Sequence, residues 1–335
     1  RDDIFRIASQ TKAITSLGIM MLWEEGKFRL DDPISNFIPE FKNPNVLAEI
    51  NYSDTSYTTE PAGKEITFRQ LLTHTSGLDY PAIGSKEFKA IYAKHGVPSG
   101  IGNAVDILGD KMKILAKLPL KHKPGEKYTY GLNSDVLGYL IEVISGKNLD
   151  QFFRERIFRP LGMNDTYFYL PESKHSKLVP LYDGGNGKAV KMVANAFDNV
   201  NPDYPKLQGT YYSGGAGLSS TIEDYAKFLQ LFLNNGIYNG KRLISRKTIE
   251  LMLTNQTSNL TSAPVGLGFG LETPGNDHLS VLSAGSFSWG GAFNTHYWAD
   301  PKENLIGLIF TNMYQTAHRS IGDKFKVLTY QAIGD

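Results

Sequence analysis

From Ile7 to Glu25 the chain is apolar on nearly every side of a helical wheel. Ile14, Leu17, Met21 and Leu22 recur at helical spacing with further apolar residues between them. A helix of that kind is buried, and Gly26 stands where a C′ glycine ends it. Residues 43–66, rich in Asn, Ser, Thr and Pro, read as loop. Thr67 caps a helix carrying Phe68, Leu71 and Leu72 that stops at Ser76-Gly77, and residues 81–103 are mixed. Helical periodicity returns over 104–118, over Ser134–Ile144 before Gly146, and over Leu149–Ile157; residues 165–213 read as strands and loops. Ser220-Thr221-Ile222-Glu223 has the form of a capping box at the head of a long amphipathic helix ending at Asn235-Gly236, and Ser245 caps another. The period then changes to that of strands, over Val265–Leu271, Phe287–Phe293, Thr295–Trp298 and Leu305–Thr311, and a helix over 318–332 closes the chain. The order predicts an α+β fold: an antiparallel sheet flanked by helices, plus a mainly helical subdomain.

Composition narrows the function classes. The chain has 335 residues, 35 basic and 34 acidic, and a formal net charge of +1. That balance gives no general attraction to nucleic acid, and no basic run appears. No stretch is long and apolar enough for a membrane span. The absence of cysteine excludes thiolate chemistry and disulfides, and is compatible with a cytoplasmic or an exported protein. Seven histidines are scattered with no pair at metal-ligand spacing, and no cofactor motif is present: no Walker A loop, H-E-x-x-H, G-x-S-x-G elbow, or G-x-G-x-x-G after a strand. His74 reads as a hydrogen-bonder at a helix end.

Against that background one tetrapeptide stands out. Ser9-Gln10-Thr11-Lys12 is the single S-x-x-K of the chain. Residues i and i+3 share a helix face, so the Lys12 amine can reach the Ser9 hydroxyl. A serine hydroxyl becomes a nucleophile when a base takes its proton. Serine at a helix start is commonly an N-cap and lysine there a solvated charge, but Lys12 is the one charge between Ile7 and Trp23, and desolvation favours a neutral amine. Tyr130, ahead of the helix at Ser134, is a second candidate, because a phenol beside a lysine can act as base. Ser288-Trp289-Gly290-Gly291-Ala292 is a third: two glycines weaken a strand unless it bulges or something approaches its backbone closely.

These elements, taken in order, resemble the serine β-lactamase and penicillin-binding-protein-like hydrolases, class C-like members and family VIII carboxylesterases most of all. The resemblance is carried by Phe5-Arg6-Ile7-Ala8-Ser9-Gln10-Thr11-Lys12, Glu24-Glu25-Gly26-Lys27 and Leu71-Leu72-Thr73-His74-Thr75-Ser76-Gly77-Leu78. It continues through Asp135-Val136-Leu137-Gly138, Pro160-Leu161-Gly162-Met163, Gly214-Gly215-Ala216-Gly217-Leu218 and Trp289-Gly290-Gly291. It implies a β-lactamase/transpeptidase-like fold in one catalytic domain over 1–335, with a variable helical subdomain at roughly 43–210. It implies Ser9 as acylated nucleophile, Lys12 as base or proton relay, and Tyr130 as the shuttle to the leaving group. The backbone N–H groups of Ser9 and Ala292 would form the oxyanion hole, and Trp289, Gly290, Gly291 and Leu132 would bind substrate.

Leu132 stands where the family's Tyr-x-Asn motif has its amide, and Trp289 where a cationic residue is usual. Both departures favour esters over β-lactams. The resemblance therefore implies a hydrolase of small acyl esters, with amides and lactams as further small-molecule substrates and no cofactor. β-Lactamase or D-amino peptidase activity, acyl transfer to an alcohol, and a non-catalytic penicillin-binding-like sensor stay open. Family chains carry a helix and two strands ahead of the S-x-x-K helix, so a preceding segment is expected to complete the sheet. Aromatic residues Tyr80, Phe88, Tyr92, Tyr204, Tyr211 and Tyr212 suggest an apolar or ring-bearing substrate group.

Overall fold

The apolar run at the start of the chain forms helix α1 over Thr11–Glu24, preceded by one 3-10 turn at Ala8–Gln10. The computed structural model describes residues 2–193, 200–258 and 260–334. Every residue of α1 from Thr11 to Leu22 is buried, as an all-round apolar helix requires. Helix α2, Asn133–Ser145, packs along it and ends at Gly146 with φ 70°. Gly18 makes that packing close, since a Cβ there would stand 3.1 Å from Ile141.

Four strands build the antiparallel sheet beside α1: β1 (Gly270–Leu271), β2 (Phe287–Gly291), β3 (Thr295–Asp300) and β4 (Leu305–Ile309), in the spatial order β4-β3-β2-β1. Register pairs Trp289 with Tyr297 and Gly291 with Thr295. Side chains alternate between faces along a strand, and the neighbours of β3 follow that rule. Tyr297 meets Tyr225 of helix α3, Ile222–Leu233, whereas Trp298 meets Phe325 of helix α4, Ile321–Gln331. Aromatic rings of α3 and the sheet, among them Phe228, Phe232, Phe269 and Phe287, form edge and tilted pairs. Each ring buried there contributes roughly 1.5–3 kcal/mol. Strand β1 is short and pairs with Phe287 and Ser288 only, so Trp289–Gly291 present an edge that β1 does not cover.

A two-residue strand, Phe5–Arg6, pairs antiparallel with Ser219–Ser220 and delivers the chain into the 3-10 turn. Ala8 makes the corner at φ 42°, a left-handed conformation that disfavours any residue with a Cβ.

Fold class and element order agree with the sequence reading; several local assignments differ. Residues 43–66 hold a β-hairpin, Asn45–Asn51 with Ser56–Pro61. The 81–103 stretch contains a helix at Lys86–Lys94. The helix read as 149–157 runs through a π turn, Arg154–Phe158, to Leu161. Its left-handed stop is Gly162. The cap of α3 is Thr221, which accepts from the Asp224 N–H. Ser220 is held in the strand pairing with Phe5 and shares a hydrogen bond with Thr166, so the capping role falls one residue later than the motif suggests.

Candidate active site

The 3-10 turn places Ser9 half-buried at the N-terminal end of α1. Ser9 caps neither helix: the N-cap positions belong to Ile7 and Gln10, without side-chain caps. Its hydroxyl is engaged laterally. Lys12 Nζ lies 3.2 Å from Ser9 Oγ, the i to i+3 relation on one helix face, and the Tyr130 hydroxyl lies 2.7 Å from the same oxygen. Lys12, 3 % exposed, is also held by the Gly215 carbonyl at 2.8 Å. Its ammonium stands 4.7 Å from the Tyr130 ring centroid and 5.5 Å from that of Tyr80, within cation–π range. The structure thus brings Tyr130, 121 residues away in the chain, onto the Ser9–Lys12 pair.

Trp289 forms the next layer. Its half-buried ring is 6.0 Å from Tyr130 and 6.4 Å from His74. Gly291 meets the backbone of Ile7: a Cβ there would lie 2.5 Å from the Ile7 carbonyl oxygen and would strike the Thr295 hydroxyl. The close approach that the paired glycines announce is therefore made by the protein's own chain at Gly291, while Gly290 has ordinary room, 3.4 Å to its nearest atom. This contact sets the end of β2 against the turn that carries Ser9, with Ala292 exposed just beyond.

His74 is neutral by construction. Burial, then the positive charge of Lys12, push its pKa down to about 3. Its Nδ1 lies 2.9 Å from the Asn133 amide nitrogen and its ring 4.8 Å from that of Tyr130. It buttresses the site without titrating near neutrality.

Leu132, assigned above to substrate binding, is corrected by its burial: it is fully enclosed and packs in the main core, so its side chain does not face a ligand. The amide beside it, Asn133, turns inward to His74 and Ser76. Of the six aromatics proposed as lining, Phe88, Tyr92, Tyr204 and Tyr211 are core residues, and Tyr80 is the one that stands beside Lys12. Burial, then Tyr130, hold the Tyr80 phenol well above its usual range.

Two residues of the site escaped the sequence reading. Gly215 lies in a segment that contributed to the resemblance but received no role, and so does Asp135, a fully buried carboxyl. No local signal singled out Asp135, since the same helix also carries Asn133, Ser134 and Glu142. Among the described residues no cluster of three or more potential ligands could hold a metal ion, and no helix is long and apolar enough to cross a membrane.

A beta-lactamase family model matches residues 1–330. The chain belongs to that family, and it is a serine hydrolase. Protein Rv1367c of Mycobacterium tuberculosis is 34 % identical over 327 residues, 91 % of this chain and 76 % of that protein. Esterase EstB of Burkholderia gladioli is 28 % identical over 353 residues, 99 % of this chain and 82 % of that one. Simvastatin synthase (LovD) of Aspergillus terreus shares the fold, with a TM-score of 0.81 at 23 % identity over 100 % of this chain and 86 % of its own.

Proposed function

We propose that this protein hydrolyses small acyl esters through an acyl-enzyme on Ser9. The observation that carries the reading is the Ser9 hydroxyl held between the Lys12 amine at 3.2 Å and the Tyr130 hydroxyl at 2.7 Å. When one of these two groups is deprotonated it accepts the Ser9 proton, and Oγ attacks the acyl carbon. The carbonyl oxygen becomes an oxyanion and is received by the backbone N–H groups of Ser9 and Ala292; such donors are each worth roughly 10²–10³ in turnover. Tyr130 passes a proton to the departing alcohol as the acyl–oxygen bond breaks. Water then attacks the acyl-serine, giving its proton back through Tyr130 and Lys12, and the acid leaves.

Ester substrates are favoured over lactams and peptides by what stands at β2. Trp289 offers an aromatic face beside Tyr130 and no charge for a substrate carboxylate. An esterase among the relatives, EstB, agrees with that preference.

Labelling with a fluorophosphonate probe followed by mass spectrometry tests the centre: the adduct is expected on Ser9 and lost in Ser9→Ala without loss of fold. Labelling elsewhere, or none, refutes it. Rates on p-nitrophenyl esters and on nitrocefin test the substrate class, and nitrocefin cleavage without ester cleavage would reverse the preference.

A further inference from the structure

Asp135 is a fully buried carboxylic acid for which the reaction above has no use. It sits in the first turn of α2 with no exposed surface. One oxygen, Oδ1, accepts from the Ser213 hydroxyl at 2.6 Å and from the Gly215 N–H at 3.4 Å. Ser213 Oγ in turn accepts from the Ala216 N–H at 3.0 Å. The other oxygen, Oδ2, is enclosed without a hydrogen-bond partner among the described residues. A buried polar atom left unpaired costs about 1–3 kcal/mol, more when charged, so its retention calls for a reason.

The reason lies on the other side of Gly215. That residue donates its N–H to Asp135, and its carbonyl accepts from Lys12. Its neighbour Gly214 is fixed from α1, its carbonyl accepting from Thr15 at 2.7 Å. Glycine is required on both flanks of the acid. A Cβ on Gly215 would strike Asp135 Oδ2, and one on Gly100 would lie 2.5 Å from Ser213 Oγ and 3.3 Å from Asp135 Oδ1.

The charged and titratable groups that act on or feel Asp135 come from three directions: Lys12 of α1, Tyr80, and Tyr211 just ahead of the turn. Burial pushes the Asp135 carboxyl up; the Ser213 hydrogen bond and then the Lys12 charge oppose that.

We infer that Asp135 is a positioning residue for the acyl transfer: it clamps the Ser213–Ala216 turn so that the Gly215 carbonyl aims the Lys12 amine at Ser9. The inference rests on the reading of Ser9, Lys12 and Tyr130 given above.

The test is kcat and KM for p-nitrophenyl butyrate in three variants, with thermal melting and Ser9 labelling alongside. Asp135→Ala removes the acceptor that holds Ser213 and Gly215; kcat is expected to fall by roughly ten- to a hundredfold with KM little changed. Asp135→Asn keeps an acceptor and is expected to recover most of that loss. Ser213→Ala loosens the clamp; kcat is expected to fall several-fold, again with KM little changed. Wild-type kcat in Asp135→Ala, whatever the change in melting, overturns the positioning role. Unchanged kcat in Ser213→Ala overturns the clamp, and this variant decides the matter if Asp135→Ala does not fold. If wild-type Ser9 is labelled and all three variants behave as wild type, Asp135 alone is misread. If wild-type Ser9 is not labelled, the underlying centre is wrong and the inference is refuted with it.

Discussion

Gly291→Ala is the substitution whose cost follows most directly from the geometry. The added Cβ would stand 2.5 Å from the carbonyl oxygen of Ile7, and real Cβ contacts essentially never fall below 3.0 Å. Thr295 is fully buried and stiff at χ1, and Ile7 offers backbone, so β2 must retreat by about 0.5 Å or more. If Ala292 supplies the oxyanion hole as proposed, the retreat displaces its N–H. A misplacement of about 1 Å can cost roughly 10²-fold in rate, and complete loss of an oxyanion donor costs roughly 10²–10³. We therefore expect kcat/KM for p-nitrophenyl butyrate to fall about ten- to a hundredfold, a loss of about 1.4–2.7 kcal/mol of transition-state stabilisation. Overpacking should lower stability by about 1–3 kcal/mol, so the assay is run well below the melting temperature of the variant. Gly290→Ala is the control for stability: its Cβ would meet nothing nearer than 3.4 Å, so it should avoid the overpacking cost and unfold within about 0.5 kcal/mol of wild type. The reasoning is refuted if Gly291→Ala melts lower yet turns over substrate like the wild type, for then β2 does not supply transition-state contacts.

Two further substitutions probe the surroundings. His74, pushed down to about 3 from 6.5 by burial, binds protons more readily when unfolded. It contributes stability that is complete above pH 6.5 and is lost as pH falls toward 3, at about 1.4 kcal/mol per pH unit within that window. Urea unfolding of His74→Asn, a residue that tolerates the left-handed φ of 55° found there, should show an acid dependence flatter by that slope; an unchanged slope would mean that His74 is not the buried neutral base described. Leu132→Ala should cost about 2–5 kcal/mol in stability and leave KM unchanged, whereas a raised KM with intact stability would restore Leu132 to the substrate site.

What the sequence revealed and what it hid have separate physical causes. The Ser9 to Lys12 relation depends on helix geometry alone, which is why four residues sufficed to suggest it. Tyr130 could be nominated because aromatic residues before a helix start are conspicuous, but its distance to Ser9 is a tertiary fact. The hairpin at 45–61 was hidden because both of its faces are largely exposed, so no alternation of apolar and polar residues marks it. The glycines of β2 correctly announced a close approach; that the partner is Ile7 is invisible in local sequence. Leu132 was misplaced because alignment with a motif position says which residue occupies a slot, not which way the chain turns its side chain. Asp135 and Gly215 went unassigned since their partnership joins two segments across the core.

The partners of Ser9 also bear on when the protein becomes reactive. Tyr130 is 121 residues away in the chain, and the carbonyl that steadies Lys12 is 203 residues beyond it. Two long loops must close before the hydroxyl meets Tyr130 and before Lys12 is held and shielded from water, and such closures come late because their entropy is spent before their contacts form. Until then Ser9 is an ordinary alcohol on a helix end. A half-assembled chain is thus chemically silent, and the first appearance of covalent labelling at Ser9 during refolding would time the docking of the Gly215 turn and Tyr130 onto α1.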